Sequence, residues 1–408
     1  MDQPYSRMAD MMLDTQYFNI DDPRPYDDVG WTMGSLYNVK TARIVDTKIL
    51  DEPMMLVKNI VVPGGVKKLK GGAVKAYLIN HNADNTLVTF RFKHAGLKMH
   101  SAEKELEIEK IKFNAGTFII KPDENPEDLK AVLDSAGNTY GFTAWSVDTL
   151  PEVPMHPVSA PRIALMHTWQ NTQNEGWVRI ALDELEIPYD YISVHEVRDN
   201  EYLKDKYDVI LFGPSTNNAL SIVEGVTGDK PMPWKKTELT PNLGCQDSTE
   251  DMRGGLELEG ILHLRDFIKD GGLFITLTNS STLPIHFGLA QNVNIKETKE
   301  LWARGGVFQA EIADSASPIA YGYDKELGVY FNSSPVFALG RMGGFRYSYF
   351  DSGSRDRVTG RGSKTDPDIP QGRPRDLGKE TMEGFRKQQK EKSEEEEESP
   401  YGSRGGFS

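Results

Sequence analysis

Four short and almost continuous apolar runs alternate with helical patterns between residues 161 and 277, and this alternation restricts the possible folds most. The runs occupy residues 162–166, 191–194, 207–212 and 273–277. The apolar spacing of a helix falls at residues 176–185 and 256–268. Gly271 and Gly272 follow the second helix as a helix-ending signal. Strands this apolar, separated by helices, belong to a parallel sheet covered on both faces. The pattern predicts a doubly wound α/β domain over residues 161–345.

A smaller α/β unit is predicted upstream, over residues 45–150. Apolar runs with strand character lie at 74–79 and 116–120. Helical spacing occurs at 126–135 and immediately before Gly96. Prolines crowd residues 151–160, which we interpret as a linker and as the boundary between the two units.

The two ends of the chain differ in composition from both units. Residues 1–44 carry large apolar side chains among Pro, Tyr and Asp, without a self-sufficient core pattern. We expect an extended and helical segment that docks on another surface. Residues 351–408 hold four aliphatic or Met side chains among 12 Lys and Arg and 13 Asp and Glu residues. Because such a segment buries little apolar surface, residues 346–408 are predicted to form a disordered, charged tail.

Charge and composition argue against several classes of function. The chain has 47 Lys and Arg residues against 61 Asp and Glu residues, a net charge of −14. This charge repels phosphate backbones and argues against a nucleic-acid partner. No stretch approaches the roughly 20 apolar residues of a membrane helix, so no membrane span is predicted. A single cysteine excludes an internal disulfide framework and a multi-cysteine zinc site, but it leaves the compartment open.

Metal-binding patterns are weak in this sequence. Among eight histidines none forms the His-Glu-x-x-His pattern. His100 and Glu103 do satisfy His-x-x-Glu, the spacing of a carboxypeptidase-type zinc site. They follow a strand-like run within Lys- and Glu-rich sequence, and a pattern of four residues arises easily by chance. We therefore predict no metal site in this chain.

Three side chains are candidate nucleophiles. A catalytic cysteine in an α/β domain of this type sits on a sharp turn from strand to helix. Cys245 instead lies in the loop 240–249, which follows no predicted strand. Ser280 and Ser281 come directly after the fourth apolar run, yet no Gly-x-Ser-x-Gly pattern surrounds them. We interpret the serines as capping residues and the cysteine as an inert loop thiol.

A polar and aromatic cluster follows the first apolar run of the parallel sheet. Ligands bind at the carboxyl ends of such strands, where loops from neighbouring strands converge. The candidate ligand-binding residues are His167, Trp169, Glu175, Trp177, Arg179 and, after the third run, Ser215. Loop packing and helix capping are the alternative interpretation of this cluster. Glycine-rich phosphate-binding patterns are absent from the sequence, so nothing favours a nucleotide.

Several ordered motifs resemble one known family. They are DQPY (2–5), PYDDVGWT (25–32), RIAL (162–165), EGWVR (175–179), YDVI (207–210), RGGL (253–256) and FIKDGG (267–272). Together they resemble the region that follows the catalytic domain in large bacterial zinc carboxypeptidases of the carboxypeptidase A type. The resemblance covers about residues 1–345. In those proteins the region contains a class I glutamine amidotransferase-like domain with a flavodoxin-like fold, usually without its nucleophile.

The resemblance implies a non-catalytic accessory region of a metallocarboxypeptidase. The family's zinc ligands and catalytic glutamate belong to the preceding peptidase domain, so zinc would be that domain's cofactor and none is expected in this chain. A peptidase domain would be the partner, and a peptide substrate would bind only through it. No secretion signal opens the chain, which we expect to start beyond the signal of a protein that is exported or periplasmic, as family members are. Two alternatives stay open: a stand-alone module that binds a small molecule or sugar, and a hydrolase that uses Cys245, Ser280 or Ser281.

Overall fold

A computed structural model describes residues 5–14, 32–56, 58, 63–215, 217–296, 305–323, 325–331 and 335–340. The predicted tail 346–408 lies outside the described residues. So do residues 15–31 of the predicted docking segment. Within the described part of that segment, the helices are α1 (Ser6–Leu13) and α2 (Met33–Leu36), followed by a 3₁₀ turn at Thr47–Asp51. Arg43 forms ion pairs with Asp10, within α1, and with Asp14, the residue that follows α1.

The upstream unit is built around a six-stranded mixed sheet. Its elements are β1 (Gly65–Lys68), β2 (Ala76–Ile79), α3 (Thr86–Lys93), β3 (Met99–Ala102), β4 (Leu106–Ile108), β5 (Ile111–Phe113), β6 (Phe118–Ile120), α4 (Leu129–Tyr140), β7 (Thr143–Val147) and β8 (Met155–Val158). The order of strands in the sheet is β1-β7-β2-β6-β3-β8, and only β1 and β7 run parallel. The predicted strands and helices of this unit are therefore present.

Both faces of this sheet are covered. On one face, α3 and α4 bury Phe90 and Leu133 against the odd-numbered side chains of β2. On the other face, Phe113 of the hairpin β4–β5 packs over Leu78, which is also a residue of β2. This two-sided burial explains why β2 has an unbroken apolar sequence rather than the alternation of a half-exposed strand.

The proline-rich segment 151–160 contains a strand where the sequence predicts a linker. β8 pairs antiparallel with β3 and forms an edge of the upstream sheet, with Met99 opposite Val158 and Ala102 opposite Met155. An edge strand tolerates Pro157, because one side of its backbone needs no ladder hydrogen bond. The prolines therefore mark an edge strand here as well as the end of the unit.

The downstream unit contains a four-stranded parallel sheet. Its elements are β9 (Ile163–His167), α5 (Glu175–Glu184), β10 (Asp190–Ser193), α6 (Val194–Asp199), α7 (Leu203–Lys206), β11 (Val209–Phe212), α8 (Ala219–Glu224), α9 (Glu257–Lys269), β12 (Leu273–Thr276), the 3₁₀ turn Thr278–Ser281 and α10 (Thr282–His286). All four strands predicted from the sequence are present, in the order β10-β9-β11-β12. The chain is thus mixed α/β with one parallel and one mixed sheet.

Helix α9 ends as its glycines predict. Gly271 has a φ of +85°, which suits a residue without a Cβ. Its N–H donates to Ile268 O, and the N–H of Gly272 donates to Phe267 O. This is the Schellman arrangement, which satisfies carbonyl groups at the end of the helix and leads the chain into β12.

The two faces of the parallel sheet are covered unequally. The core face carries Met166, Ile210 and Phe212, which pack with side chains of α6, α8, α9 and α10. On the opposite face, Leu273 of β12 is 54% exposed and Ile275 is 37% exposed. The sequence predicts a sheet covered on both sides, but the described residues leave this side of β12 open. We call it the open face of β12.

Two-stranded antiparallel sheets follow the parallel sheet. They are formed by β13 (Val293–Ile295) with β16 (Phe337–Leu339) and by β14 (Gly306–Glu311) with β15 (Glu326–Phe331). Between β14 and β15, Tyr321 stacks on His156 of the upstream unit, with the ring centroids 6.5 Å apart. Part of the predicted 161–345 domain thus contacts the upstream unit. None of the described helices is both long and apolar enough to cross a bilayer.

Candidate functional site

A cleft opens at the carboxyl ends of β9 and β11, where the sequence predicts ligand binding. We call it the carboxyl-edge cleft. It is lined by Met166, His167, Thr168, Asn171, Thr172, Glu175, Phe212, Gly213, Pro214 and Ser215. Its empty space of about 170 Å³ includes open solvent. The cleft is therefore a shallow surface feature with no enclosed room for a ligand, unlike the roughly 300–1,000 Å³ pockets that hold drug-sized molecules.

His167 ties the cleft to the long loop before α9. The imidazole is 3% exposed, its Nε2 lies 2.8 Å from Asp247 Oδ2, and its Nδ1 lies 3.1 Å from Thr168 O. The ring of Tyr191 stacks on it at 4.0 Å, with 11° between the planes. Both nitrogens and one face of the ring are therefore engaged. This fixes the orientation of His167 at the end of β9.

Glu175 is the acidic group of the cleft. It begins α5, is 3% exposed, and its Oε2 accepts a hydrogen bond of 2.9 Å from the hydroxyl of Tyr191. Burial raises the pKa of Glu175 above its ordinary value, because the charged carboxylate loses its hydration. Its other oxygen, Oε1, is buried and has no hydrogen-bond partner among the described residues. A Cβ on Gly213 would lie 2.7 Å from Cγ of Glu175, so glycine permits this close approach.

Tyr191 links the acidic group to a cation. The guanidinium carbon of Arg179 lies 4.8 Å from the centre of the tyrosine ring, within the range of a cation–π contact. Burial raises the pKa of Tyr191, and the neighbouring charge of Glu175 raises it further. The phenol therefore stays protonated at neutral pH and acts as the donor to Glu175.

Trp169 begins a second chain of contacts beside His167. Its indole ring meets the His167 ring edge to face at 5.0 Å. The indole Nε1–H donates to His195 Nδ1 over 3.1 Å, and His195 Nε2 lies 3.2 Å from Gly254 O. Since Nδ1 accepts from the indole, Nε2 carries the proton and donates to the carbonyl. This chain joins β9, α6 and the loop before α9.

The structure brings together some of the predicted ligand-binding residues. His167, Glu175 and Ser215 line the cleft, and Trp169 and Arg179 contact its wall through His167 and Tyr191. Trp177 is 69% exposed and is absent from the lining. The Oγ of Ser215 accepts a hydrogen bond of 3.1 Å from the N–H of Asn217.

Sequence reasoning missed Tyr191, His195 and Asp247. Tyr191 pairs with Leu165 only because β10 lies next to β9 in the sheet. Asp247 lies 80 residues from His167 along the chain. Residue spacing fixes neither which strands lie side by side nor the path of the long loop, so no local signal could have placed these residues.

The candidate serines bond with the backbone. The hydroxyl of Ser280 accepts from Leu277 N at 3.0 Å and donates to Phe212 O at 3.2 Å. The hydroxyl of Ser281 donates to Thr276 O at 3.1 Å. Ser281 also accepts from the hydroxyl of Thr276 at 3.2 Å. Among the described contacts, both serines therefore close the 3₁₀ turn after β12.

Cys245 is exposed, and its sulfur donates to Asn242 O at 3.3 Å. The thiol precedes Asp247 by two residues, so its loop reaches the edge of the sheet. His167, however, has both nitrogens on oxygen atoms and neither on this sulfur. The described contacts therefore give the thiol no activating base.

His100 and Glu103 do not form a joint site. The Nδ1 of His100 lies 3.7 Å from Glu124 Oε2, whereas Glu103 Oε1 lies 3.2 Å from Nδ1 of His156. Among the described residues no three His, Cys, Asp or Glu side chains are grouped so as to hold a metal ion. The side chains around His100 and Glu103 therefore do not fit the three-ligand site of a carboxypeptidase-type zinc.

Comparisons with known proteins add no relative. No model of a known protein family matches the chain, and neither a curated protein nor a solved structure does. The motif resemblance to zinc carboxypeptidases thus receives no support from these comparisons. What the carboxyl-edge cleft can do follows from its own chemistry.

Proposed function

We propose that this chain is a non-catalytic region that acts with a zinc carboxypeptidase-type peptidase domain. One observation carries the proposal: the position after β12, where a nucleophile would stand, holds Ser280 and Ser281 with both hydroxyls on backbone atoms. The ordered motifs that resemble the family's accessory region give the proposal its direction. The strand order β10-β9-β11-β12, which is 2-1-3-4 along the chain, supports a flavodoxin-like, amidotransferase-like fold for the downstream unit.

The peptidase domain would supply the chemistry that the described residues do not offer. A zinc peptidase needs three protein ligands, an open metal position and a general base. The partner domain would hold the zinc and the peptide substrate, and this chain would buttress it or cover its active site. Under this proposal the protein is exported together with that domain.

The open face of β12 is the surface that supports such a contact. Leu273 and Ile275 expose apolar side chains on a strand whose neighbours are otherwise packed. Just after the docking segment, Val45, Met55 and Leu56 are also about 80% exposed or more. Exposed apolar side chains of this kind are typical of contact sites for another protein.

The test uses the full 408-residue chain. Alone, and with zinc added, it should release no C-terminal amino acid from a blocked dipeptide. It should bind a purified zinc carboxypeptidase-type domain of the same family in calorimetry. Leu273→Arg should weaken that binding, whereas Leu258→Arg, a matched change on the exposed side of α9, should not.

Two results would overturn the proposal. Hydrolysis by the chain alone, lost on Cys245→Ser, Ser280→Ala or Ser281→Ala, would favour the hydrolase alternative. Absence of binding to the peptidase domain would favour a stand-alone binding module.

A further inference from the structure

The turn at residues 318–323 attaches the two-stranded sheet β14–β15 to the upstream unit. It opens with a 3₁₀ turn at Pro318–Ala320, and both Ala320 and Tyr321 are buried. The ring of Tyr321 stacks on His156 of the edge strand β8. A connection between strands normally runs over the surface and exposes its side chains. This turn buries two of them because it docks on the upstream unit.

Two glycines let the turn approach His81 closely. Gly322 has a φ of +79°, and a Cβ there would collide with Nδ1 of His81 and would lie 2.7 Å from Ala83 N. Gly116 has a φ of +90°, and a Cβ there would lie 2.8 Å from Tyr321 Cβ and 3.0 Å from His81 Cγ. A residue without a Cβ suits both the backbone conformation and the space. The imidazole of His81 is therefore held between the 318–323 turn and the segment before β6.

One nitrogen of His81 has no partner at this contact. Its Nδ1 is buried and forms no hydrogen bond with the described residues. The ring meets the ring of Phe118 edge to face at 6.4 Å, and its carbonyl accepts a bond of 2.9 Å from Asn114 Nδ2. A neutral imidazole fits this position, because its Nδ1 needs no proton. An imidazolium carries a proton on both nitrogens, so it would bury a charge and an N–H without an acceptor.

The titratable side chains around this contact do not offset such a charge. Those on the packed elements are Tyr321 and Tyr323 of the turn, His156 of β8, Glu103 after β3 and Asp84 after β2. Glu103 Oε1 lies 3.2 Å from His156 Nδ1, and Asp84 accepts two hydrogen bonds from Thr86. Burial lowers the pKa of His81, and a hydrogen bond to its own backbone carbonyl opposes this only in part. Neither carboxylate is a cause of this shift.

We propose that His81 makes the docking of the 318–323 turn pH-dependent, so that protonation of its imidazole at mildly acidic pH releases the turn from the upstream unit. In the released state water reaches Nδ1 and the ring regains its ordinary affinity for a proton. The released state therefore binds more protons than the docked state. Docking is complete above the ordinary histidine pKa of about 6.5 and weakens as pH falls below it. The inference concerns a contact within this chain and stands apart from the peptidase partner.

The neighbouring histidine acts in the opposite direction. Protonated His156 would pair more strongly with Glu103 and would keep its ring in place beneath Tyr321. Both side chains are about 40% exposed, so water screens their ion pair and its contribution to docking is small. The net effect of acid is therefore set by His81, and its sign separates the two histidines.

Hydrogen exchange of the full chain at pH 7.5, 6.5 and 5.5 tests the inference. Rates are expressed as protection relative to an unfolded chain, which removes the intrinsic effect of pH on exchange. The N–H groups of Tyr321 and Tyr323 donate to Pro318 O and Ala320 O, so they report on the turn. We expect their protection to fall by about three- to tenfold between pH 7.5 and 5.5, since one proton changes an equilibrium by at most about tenfold per pH unit. Strands β2 and β6 should keep their protection.

Three variants identify the group responsible. His81→Gln cannot gain a charge, so it should remove the pH dependence of the turn. His286→Gln, an exposed histidine on α10, is the matched control and should retain it. Gly322→Ala adds a Cβ that collides with His81 Nδ1, so it should expose the turn already at pH 7.5.

Four results would overturn the inference. They are constant protection of the turn between pH 7.5 and 5.5, an equal loss in His81→Gln, an equal loss in β2 and β6, and removal of the pH dependence by His156→Gln instead. The first and third are measured on the unmutated chain, so they do not depend on how a variant folds.

Discussion

The hydrogen bond between His167 and Asp247 should hold the long loop before α9 against the parallel sheet. Residues 226–255 are tied mostly within themselves, through the Trp234–Thr249 pairing and similar contacts. The 2.8 Å bond from His167 Nε2 to Asp247 Oδ2 joins the middle of this loop to the end of β9. We therefore expect Asp247→Ala to free the loop and to leave the sheet intact.

The size of the effect follows from the burial of the two partners. A hydrogen bond to a charged group contributes about 1.5–3 kcal/mol, and an unpaired buried partner costs a similar amount. His167 is 3% exposed, but the side chain of Asp247 is 27% exposed, so water recovers part of the loss. We expect about 1–2 kcal/mol, equivalent to about 5- to 30-fold in the population of the opened loop.

Hydrogen exchange of the amides in 240–249 measures this opening directly. Exchange there should accelerate by the same factor in Asp247→Ala and only partly in Asp247→Asn, whose amide oxygen can still accept from His167. Asp229→Ala, an exposed change in the same loop, is the matched control. Unchanged exchange in Asp247→Ala, or acceleration spread over β9 and β11, would refute the pinning role.

Three further predictions concern stability. Burial raises the pKa of Glu175 in the folded state, so ionisation of Glu175 lowers the stability of the fold as pH rises above the pKa of the unfolded chain. Glu175→Gln removes this ionisation. In urea melts it should therefore be more stabilising, or less destabilising, at pH 7.5 than near pH 4. Gly271→Ala places a Cβ at a φ of +85° and should cost about 1 kcal/mol, whereas Gly96→Ala, with open space around it, should cost less. Hydrogen bonds from Arg162 and Lys204 lower the pKa of Asp208. Asp208→Asn should therefore reduce the free energy of unfolding by about 1 kcal/mol or less at this part-exposed site. In urea melts this loss should shrink as pH falls below about 4.

The elements of the downstream sheet were predictable because each strand carries its own signal. An uninterrupted apolar run such as Val209–Phe212 needs burial on both sides, and Gly271 with Gly272 marks the end of a helix by backbone geometry alone. Strand β8 was not predicted, because prolines also occur in edge strands, where one side of the backbone needs no N–H for the sheet's hydrogen bonds. Local pattern cannot separate an edge strand from a linker.

The candidate site was predictable only in part, for a similar reason. The rule that ligands bind at the carboxyl ends of parallel strands points to the loop after β9, and the structure places His167 and Glu175 of that region beside one cleft. The groups that hold them, Tyr191 and Asp247, arrive from a neighbouring strand and from a distant loop. Their positions depend on sheet order and loop path, which no residue spacing encodes.

The open face of β12 and the carboxyl-edge cleft lie at different parts of the same sheet. Leu273 pairs with Val209 at the amino end of β11, whereas the cleft begins at Phe212, at the carboxyl end of the same strand. β11 also separates β12 from β9, which carries His167. A partner seated on Leu273 would therefore leave the cleft uncovered. Leu273→Arg should impair binding of the peptidase domain, whereas Glu175→Gln should leave that binding unchanged in the same calorimetry.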